Sequence, residues 1–248
     1  MSTGNGATGP GRRAFVRGSL ERQQDDEAAA EGMVEALERL CRRVADDLGM
    51  AGAAVNLMST SGSEGVVAAS DTRCKDLVEM QFTTGQGPGH DAFALRRPVL
   101  APDLASAAEQ RWQGYASMAL SAGVRSAFAF PLQLGDTRLG VLDVFGESPE
   151  TPGDDEVAVA LMFAQMATEI LLDGPLTTAE GDLDPDVGNA LNYRVEIYQA
   201  QGILTVRLGV GLAEALARMR AYAFGQGRTL IELAHEIIGG RSFVEGEI

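Results

Sequence analysis

The sequence predicts an α+β fold: an N-terminal domain with an antiparallel sheet flanked by helices, followed by a C-terminal three-helix bundle. Three patterns carry that reading. Strand-like runs lie between two helical stripes in residues 27–172. Residues 173–185 (DGPLTTAEGDLDP) have the Gly, Pro and acidic content of a linker. In residues 186–248, short apolar stripes recur at steps of three and four.

Composition bounds the class. The chain has 248 residues, 45% hydrophobic and 22% charged, which fits soluble globular domains. No apolar run approaches transmembrane length, so no membrane partner is expected. The stretch Arg12-Arg13-Ala14-Phe15-Val16-Arg17 looks like a twin-arginine export signal, but Glu21–Asp26 follows where an apolar region should be. Residues 1–26 read as a disordered tail. Cys41 and Cys74 lie in different elements without a CxxC, so half-buried, reduced thiols and a cytoplasmic location are expected. The whole net charge of −15 falls in residues 1–188, because residues 189–248 carry six Arg against six Asp+Glu. Such acidity argues against non-specific coating of nucleic acid, though not against a local contact.

The elements follow in order. Met33, Leu37, Leu40, Val44 and Leu48 make one face of a helix within Glu27–Leu48. Ala53–Met58 is a strand ended by the Ser59-Thr60-Ser61-Gly62-Ser63 turn, with Val66–Ala69 as its hairpin partner. A helical stretch near Asp76–Phe82 precedes a loop, Thr84-Gly85-Gln86-Gly87-Pro88-Gly89. Pro98–Ala101 is a short apolar piece and Trp112–Ala122 a helix. Ser126–Leu134 and Leu139–Phe145 are strands joined by a segment beginning Gly135-Asp136, a hairpin signal. Asp154–Leu172 is a helix whose acidic start, Asp154-Asp155-Glu156, complements the helix dipole.

Asp184-Pro185 opens the bundle as N-cap and first helical residue. Helix one carries Ala190, Tyr193, Ile197, Ala200, Leu204 and Leu208 on one stripe. Leu212, Ala215, Leu216, Met219, Tyr222 and Ala223 line helix two. Thr229-Leu230-Ile231-Glu232 fits a capping box, and helix three buries Leu230, Leu233, Ala234, Ile237 and Ile238.

The chemistry-bearing residues are few. Arg218 and Arg220 flank the stripe of helix two, while Arg207 and Arg228 sit near the inter-helix turns. Guanidinium groups fork onto phosphates or stack on splayed loop bases. The alternative is solvated arginines paired with Glu214 or Glu232, and Glu214–Arg218 has the spacing of a helix pair. Gln201 is either a polar contact to a base or phosphate or an exposed helix residue. His90 and His235 with two distant cysteines offer no metal site. Gly85-x-Gly87-x-Gly89 is a weak phosphate-loop pattern, the only lysine (Lys75) follows no P-loop, and no nucleophile elbow or kinase motif occurs. Neither an enzyme nor a cofactor is expected.

Gln199-Ala200-Gln201-Gly202-Ile203-Leu204, Glu214-Ala215, Met219-Arg220, Ala223, Gly227-Arg228-Thr229-Leu230 and Ala234, spaced over residues 195–241, resemble the ANTAR domain, a three-helix RNA-binding output of antitermination regulators. Gly85-Gln86-Gly87-Pro88, Asp91-Ala92, Gly123-Val124-Arg125-Ser126, Phe130-Pro131-Leu132 and Leu139-Gly140-Val141-Leu142-Asp143, within residues 30–172, resemble a GAF domain, a small-ligand sensor. The pairing is similar to regulators of the actinobacterial GAF–ANTAR type. It departs at Gln201, where a basic residue is common, at Leu216, where an aromatic is, and at Gly89-His90, where a Cys and an apolar residue are. The resemblance implies a homodimeric cytoplasmic regulator that senses an unknown small molecule and promotes transcription antitermination through structured leader hairpins. It implies RNA contacts at Gln201, Arg207, Arg218, Arg220 and Arg228. A sensor pocket would draw on Phe82, Trp112, Tyr115, Phe128 and Phe130, residues more often plain core than ligand contacts. His90 could hold haem, as in some GAF domains, or be an ordinary loop histidine. The bundle could instead contact protein, or DNA as a helix-turn-helix, although helix three carries Glu232 and Glu236 and no basic residue.

Overall fold

A computed structural model describes residues 32–60, 62–108, 111–173, 194–226 and 228–240. The tail, the linker beyond Asp173 and the Asp184-Pro185 helix start lie outside the described residues. The chain opens with α1 (residues 32–48), which buries Met33, Leu37, Leu40 and Val44 on one side, the stripe its periodicity predicts. Strands β1 (Gly52–Met58) and β2 (Glu64–Ala69) form the first hairpin. Four helices and a strand follow: α2 (Thr72–Thr84), α3 (Pro88–Leu95), β3 (Val99–Ala101), α4 (Leu104–Ala108) and α5 (Gln113–Ser121). The second hairpin is β4 (Ser126–Leu134) and β5 (Thr137–Gly146), turning at Gly135-Asp136, and α6 (Asp154–Asp173) closes the domain. The bundle is α7 (Val195–Leu208), α8 (Leu212–Gly225) and α9 (Leu230–Ile238).

The five strands form one sheet in the order β2-β1-β5-β4-β3, every pair antiparallel. Alternation along each strand sends neighbouring side chains to opposite faces. Val55, Phe128, Phe130, Leu142 and Val144 face α1 and α6, whereas Ala54, Ala129, Val141 and Phe145 face α2 to α5. Both faces are therefore covered, and the strands read as apolar runs. A third core fills the bundle from Ile197, Leu204, Leu216, Met219, Leu233 and Ile237, with Phe82 of α2 contributed from the other domain.

Most predicted elements are present, with three differences. The presumed loop at 84–89 contains the start of α3, whose first residue is Pro88, a position where the missing N–H costs nothing. The short α4 carries no stripe long enough to read. Cys41 and Cys74 are buried rather than half-buried, and burial raises both thiols far above their ordinary pKa. The capping box is realised: the Thr229 hydroxyl accepts from the Glu232 amide and the Glu232 carboxylate accepts from the Thr229 amide. Among the described residues, no single helix is long and apolar enough to cross a membrane.

Gly140 stands where β5 meets β1 most closely. A Cβ there would lie 2.0 Å from the main-chain oxygen of Asn56, an atom that moves only if the strands part. Gly140→Ala is expected to lower the unfolding free energy by roughly 1–3 kcal/mol. Urea denaturation checks this, and an unchanged midpoint would count against the close approach.

Candidate functional site

Polar side chains are concentrated on the α2–α5 side of the sheet. Asp143 projects from β5, and its Oδ1 accepts from the amide of Gln81 on α2 at 3.0 Å. The Gln81 carbonyl in turn accepts from the Gly89 amide at 2.8 Å, at the start of α3. Gly87 and Gly89 make this possible. A Cβ at Gly87 would sit 2.2 Å from Gln81 Oε1, and one at Gly89 would sit 2.8 Å from Asp143 Oδ1. Gly87 also holds a φ of 144°, which an L side chain resists. The glycine-rich segment lowers α3 onto a buried carboxyl; it does not surround open space for a phosphate. Burial raises the Asp143 carboxyl to about 7, against the opposing pull of the Gln81 hydrogen bond and of His90. Asp143 Oδ2, Tyr115 Oη, Asn56 Oδ1 and His90 Nδ1 are buried with no hydrogen-bond partner. These atoms, with Gln81, form the polar cluster of an otherwise apolar layer between the sheet and α2 to α5.

Beside this cluster lies Glu64, the first residue of edge strand β2. Its carboxylate is 3.2 Å from His90 Nε2 and 3.4 Å from the Asn56 amide nitrogen. From the bundle side, Arg220 Nη2 stands 3.5 Å away and Arg194 Nη1 3.9 Å away. Burial pushes this carboxyl upward, but His90 and the two guanidinium groups outweigh it and hold it below the ordinary range. The main chain of Glu64 is also engaged. Its amide donates to the Tyr198 hydroxyl at 2.8 Å, and that hydroxyl donates to its carbonyl at 3.0 Å. Arg194, only 1% exposed, donates to the Glu64 carbonyl and to the Glu79 carboxylate. Two guanidinium groups lie against the Phe82 ring, with Arg194 at 3.6 Å and Arg220 at 5.0 Å from its centroid.

The residues singled out in the sequence are thereby dispersed. Phe128 and Phe130 lie on the α1/α6 face, where they border a small apolar cleft with Leu48, Met50 and Ala160. Trp112 and Tyr115 lie on the opposite face, and Phe82 belongs to the domain junction. No single pocket gathers the five, because alternate strand residues and separate helices point them apart. In the bundle, Gln201 is buried rather than exposed, and its amide donates to the Leu212 carbonyl at 2.7 Å, tying α7 to the start of α8. Arg220 is also placed inside, its Nε donating to the Phe82 carbonyl at 2.8 Å. Arg218 remains on the surface, paired with Glu214 as its spacing allows; Arg228 pairs with Glu236, not Glu232. Arg207 is exposed, with no ion pair among the described residues. Leu216 is part of the bundle core.

Two features escaped the sequence reading. Asp143 and Glu64 look like ordinary strand-edge acids until their burial is seen. Phe224 stands 77% exposed at the end of α8, and its position off the Leu216–Met219–Ala223 stripe was the available signal. Among the described residues, no group of three or more His, Cys, Asp or Glu side chains could hold a metal ion.

Comparison with known families places these two units. The GAF domain family model matches residues 30–171, and the ANTAR domain model matches residues 186–238. No curated protein matches the chain. Similar solved structures include the GAF domain region of a Geobacter sulfurreducens PCA protein, 13% identical, covering 58% of this chain and 96% of that one, TM-score 0.49. Another is the GAF domain of an Acinetobacter phosphoenolpyruvate-protein phosphotransferase, 10% identical, covering 61% and 93%, TM-score 0.44. A third is the type II free methionine-R-sulfoxide reductase from Thermoplasma acidophilum, 11% identical, covering 58% and 94%, TM-score 0.45.

Asp143 has a pH signature. Its folded pKa lies above the unfolded one, so the native state holds the proton more tightly, and stability falls as pH rises from the ordinary carboxylate range toward 7. Glu64 acts in the opposite sense, but its contribution is complete above its ordinary value and changes only at lower pH. Thermal melts between pH 5 and 8 should therefore show a loss approaching about 1.4 kcal/mol per pH unit at the acid end, levelling above pH 7. Asp143→Asn should flatten that slope; a parallel slope in the variant would refute the assignment.

Proposed function

Because the chain belongs to the GAF domain family and carries an ANTAR domain at its C-terminal end, we propose that it is a cytoplasmic, non-enzymatic regulator whose sensor domain governs an RNA-binding antitermination output. The observation that carries this reading is the outer surface of the bundle. It exposes Arg207, Arg218 and the Phe224 ring at separate points, in a unit that carries none of the chain's net acidity. Guanidinium groups with an aromatic platform suit the unpaired bases and phosphates of a hairpin loop. The guest of the sensor domain would be a small polar molecule, because the orphaned atoms around Asp143 ask for donors and acceptors.

Homodimers would present two bundles to two loops. The support is an apolar stripe on α6, where Leu161, Met162, Met166 and Leu172 are exposed. A second reading, a protein-interaction bundle, is favoured by the exposure of Val206, Leu212 and Phe224, which would equally suit an apolar partner. Recognition of duplex DNA is the weakest of the three, since α9 carries Glu232 and Glu236.

Anisotropy titration with a labelled RNA of two stem-loops separates these readings. Phe224→Ala should weaken binding by about 1–3 kcal/mol through the lost stacking platform. Arg218→Ala should also weaken it and lower the salt dependence. Circular dichroism should be unchanged in both variants. Equal affinity for wild type and both variants would favour the protein-interaction bundle.

A further inference from the structure

Arg220 has the character of an RNA contact, yet it is turned inward. Its guanidinium donates to the Phe82 carbonyl at the end of α2, lies over the Phe82 ring and reaches the Glu64 carboxylate. Gly85 leaves the space it occupies, since a Cβ there would lie 3.1 Å from the Arg220 side chain. Arg194 and Tyr198 engage the same short stretch of β2 from α7 and the residue before it. One buried carboxylate on an edge strand thus receives both helices that flank the first turn of the bundle.

We propose that Glu64 is the catch of an autoinhibitory latch, holding the ANTAR bundle against the sensor domain with Arg220 withheld from RNA. This inference rests on the RNA-binding reading above. The electrostatics make Glu64 the deciding group. Two guanidinium groups are desolvated on one acceptor, and loss of that charge leaves them with carbonyls, Glu79 and an aromatic face. The sensor side of the catch is tied to the polar cluster around Asp143. Asn56 and His90, which hold Glu64 from behind, each keep one buried polar atom without a partner. A guest hydrogen-bonding to those atoms would draw on the groups that fix Glu64, so its affinity would differ between the docked and released states. That difference is what a ligand needs to shift such an equilibrium.

The test uses the full chain with Glu64→Gln, which keeps shape and removes charge, and Phe82→Ala as a second, independent release. Hydrogen exchange across residues 79–85 and 194–201 reads docking; anisotropy with the two-stem-loop RNA reads binding. The expected result is faster exchange in both segments and about tenfold tighter RNA binding, with the gain abolished when Arg220→Ala is added. Exchange unchanged in both variants would overturn the latch. So would faster exchange with RNA affinity equal to that of a wild type that binds. If exchange quickens but neither wild type nor variants bind the RNA, the RNA-binding reading falls and takes the occlusion with it, a result distinct from the other two.

Discussion

Charge taken out of water has to be compensated, and at Glu64 that requirement organises the junction between the two domains. Its carboxylate is 3% exposed and is met by His90 and Asn56 from its own domain and by Arg194 and Arg220 from the other. Separately, neither set suffices. Without the guanidinium groups the carboxylate would face burial with only a histidine and an amide; without the carboxylate, Arg194 would be fully buried against Glu79, a carbonyl and a ring. Breaking a buried pair of this kind costs far more than the intact pair contributes, because one charge is left unanswered. The contact is therefore better described as a constraint on geometry than as a store of stability.

The central sheet sets where that constraint can act. Its two faces carry different loads: the α1/α6 face is largely apolar, with Ser126 and Thr168 its buried hydroxyls, and the α2–α5 face holds Asp143, Asn56 and Gln81 among apolar neighbours. Because β2 is an edge strand, Glu64 has main-chain groups left over from sheet pairing, and the Tyr198 hydroxyl and Arg194 take them up. The polar cluster and the domain junction are consequently adjacent, with Glu64 between them.

How much of this could be read in advance varies with the physical signal involved. Regular burial periodicity made α1, α6 and the bundle legible, and the capping box at Thr229 and Glu232 was legible because it is encoded within four residues. The hairpins were legible from alternation and turn chemistry. The short helices α3 and α4 were not, since five or eight residues hold no more than two turns of pattern. The site itself was largely illegible. Arg220 and Arg218 are two residues apart and look equivalent, yet one faces the sensor domain and the other the solvent. That distinction depends on which side of α8 meets α2, a tertiary fact separated by 138 residues of chain. Asp143 and Glu64 carry no local mark of their role, because which partners a buried acid meets is set by other elements of the fold.

Phe82 packs in the bundle's core although it belongs to α2, and Arg194 and Arg220 lie against its ring, which is 1% exposed. The boundary that separates the two units along the chain is therefore not a boundary in packing. Severed from its neighbour, the C-terminal unit would present an empty aromatic socket lined by two cations, and the N-terminal unit a bare phenyl ring on its flank. Replacing either unit would leave a mismatched half of that socket, so in packing the two behave as one object.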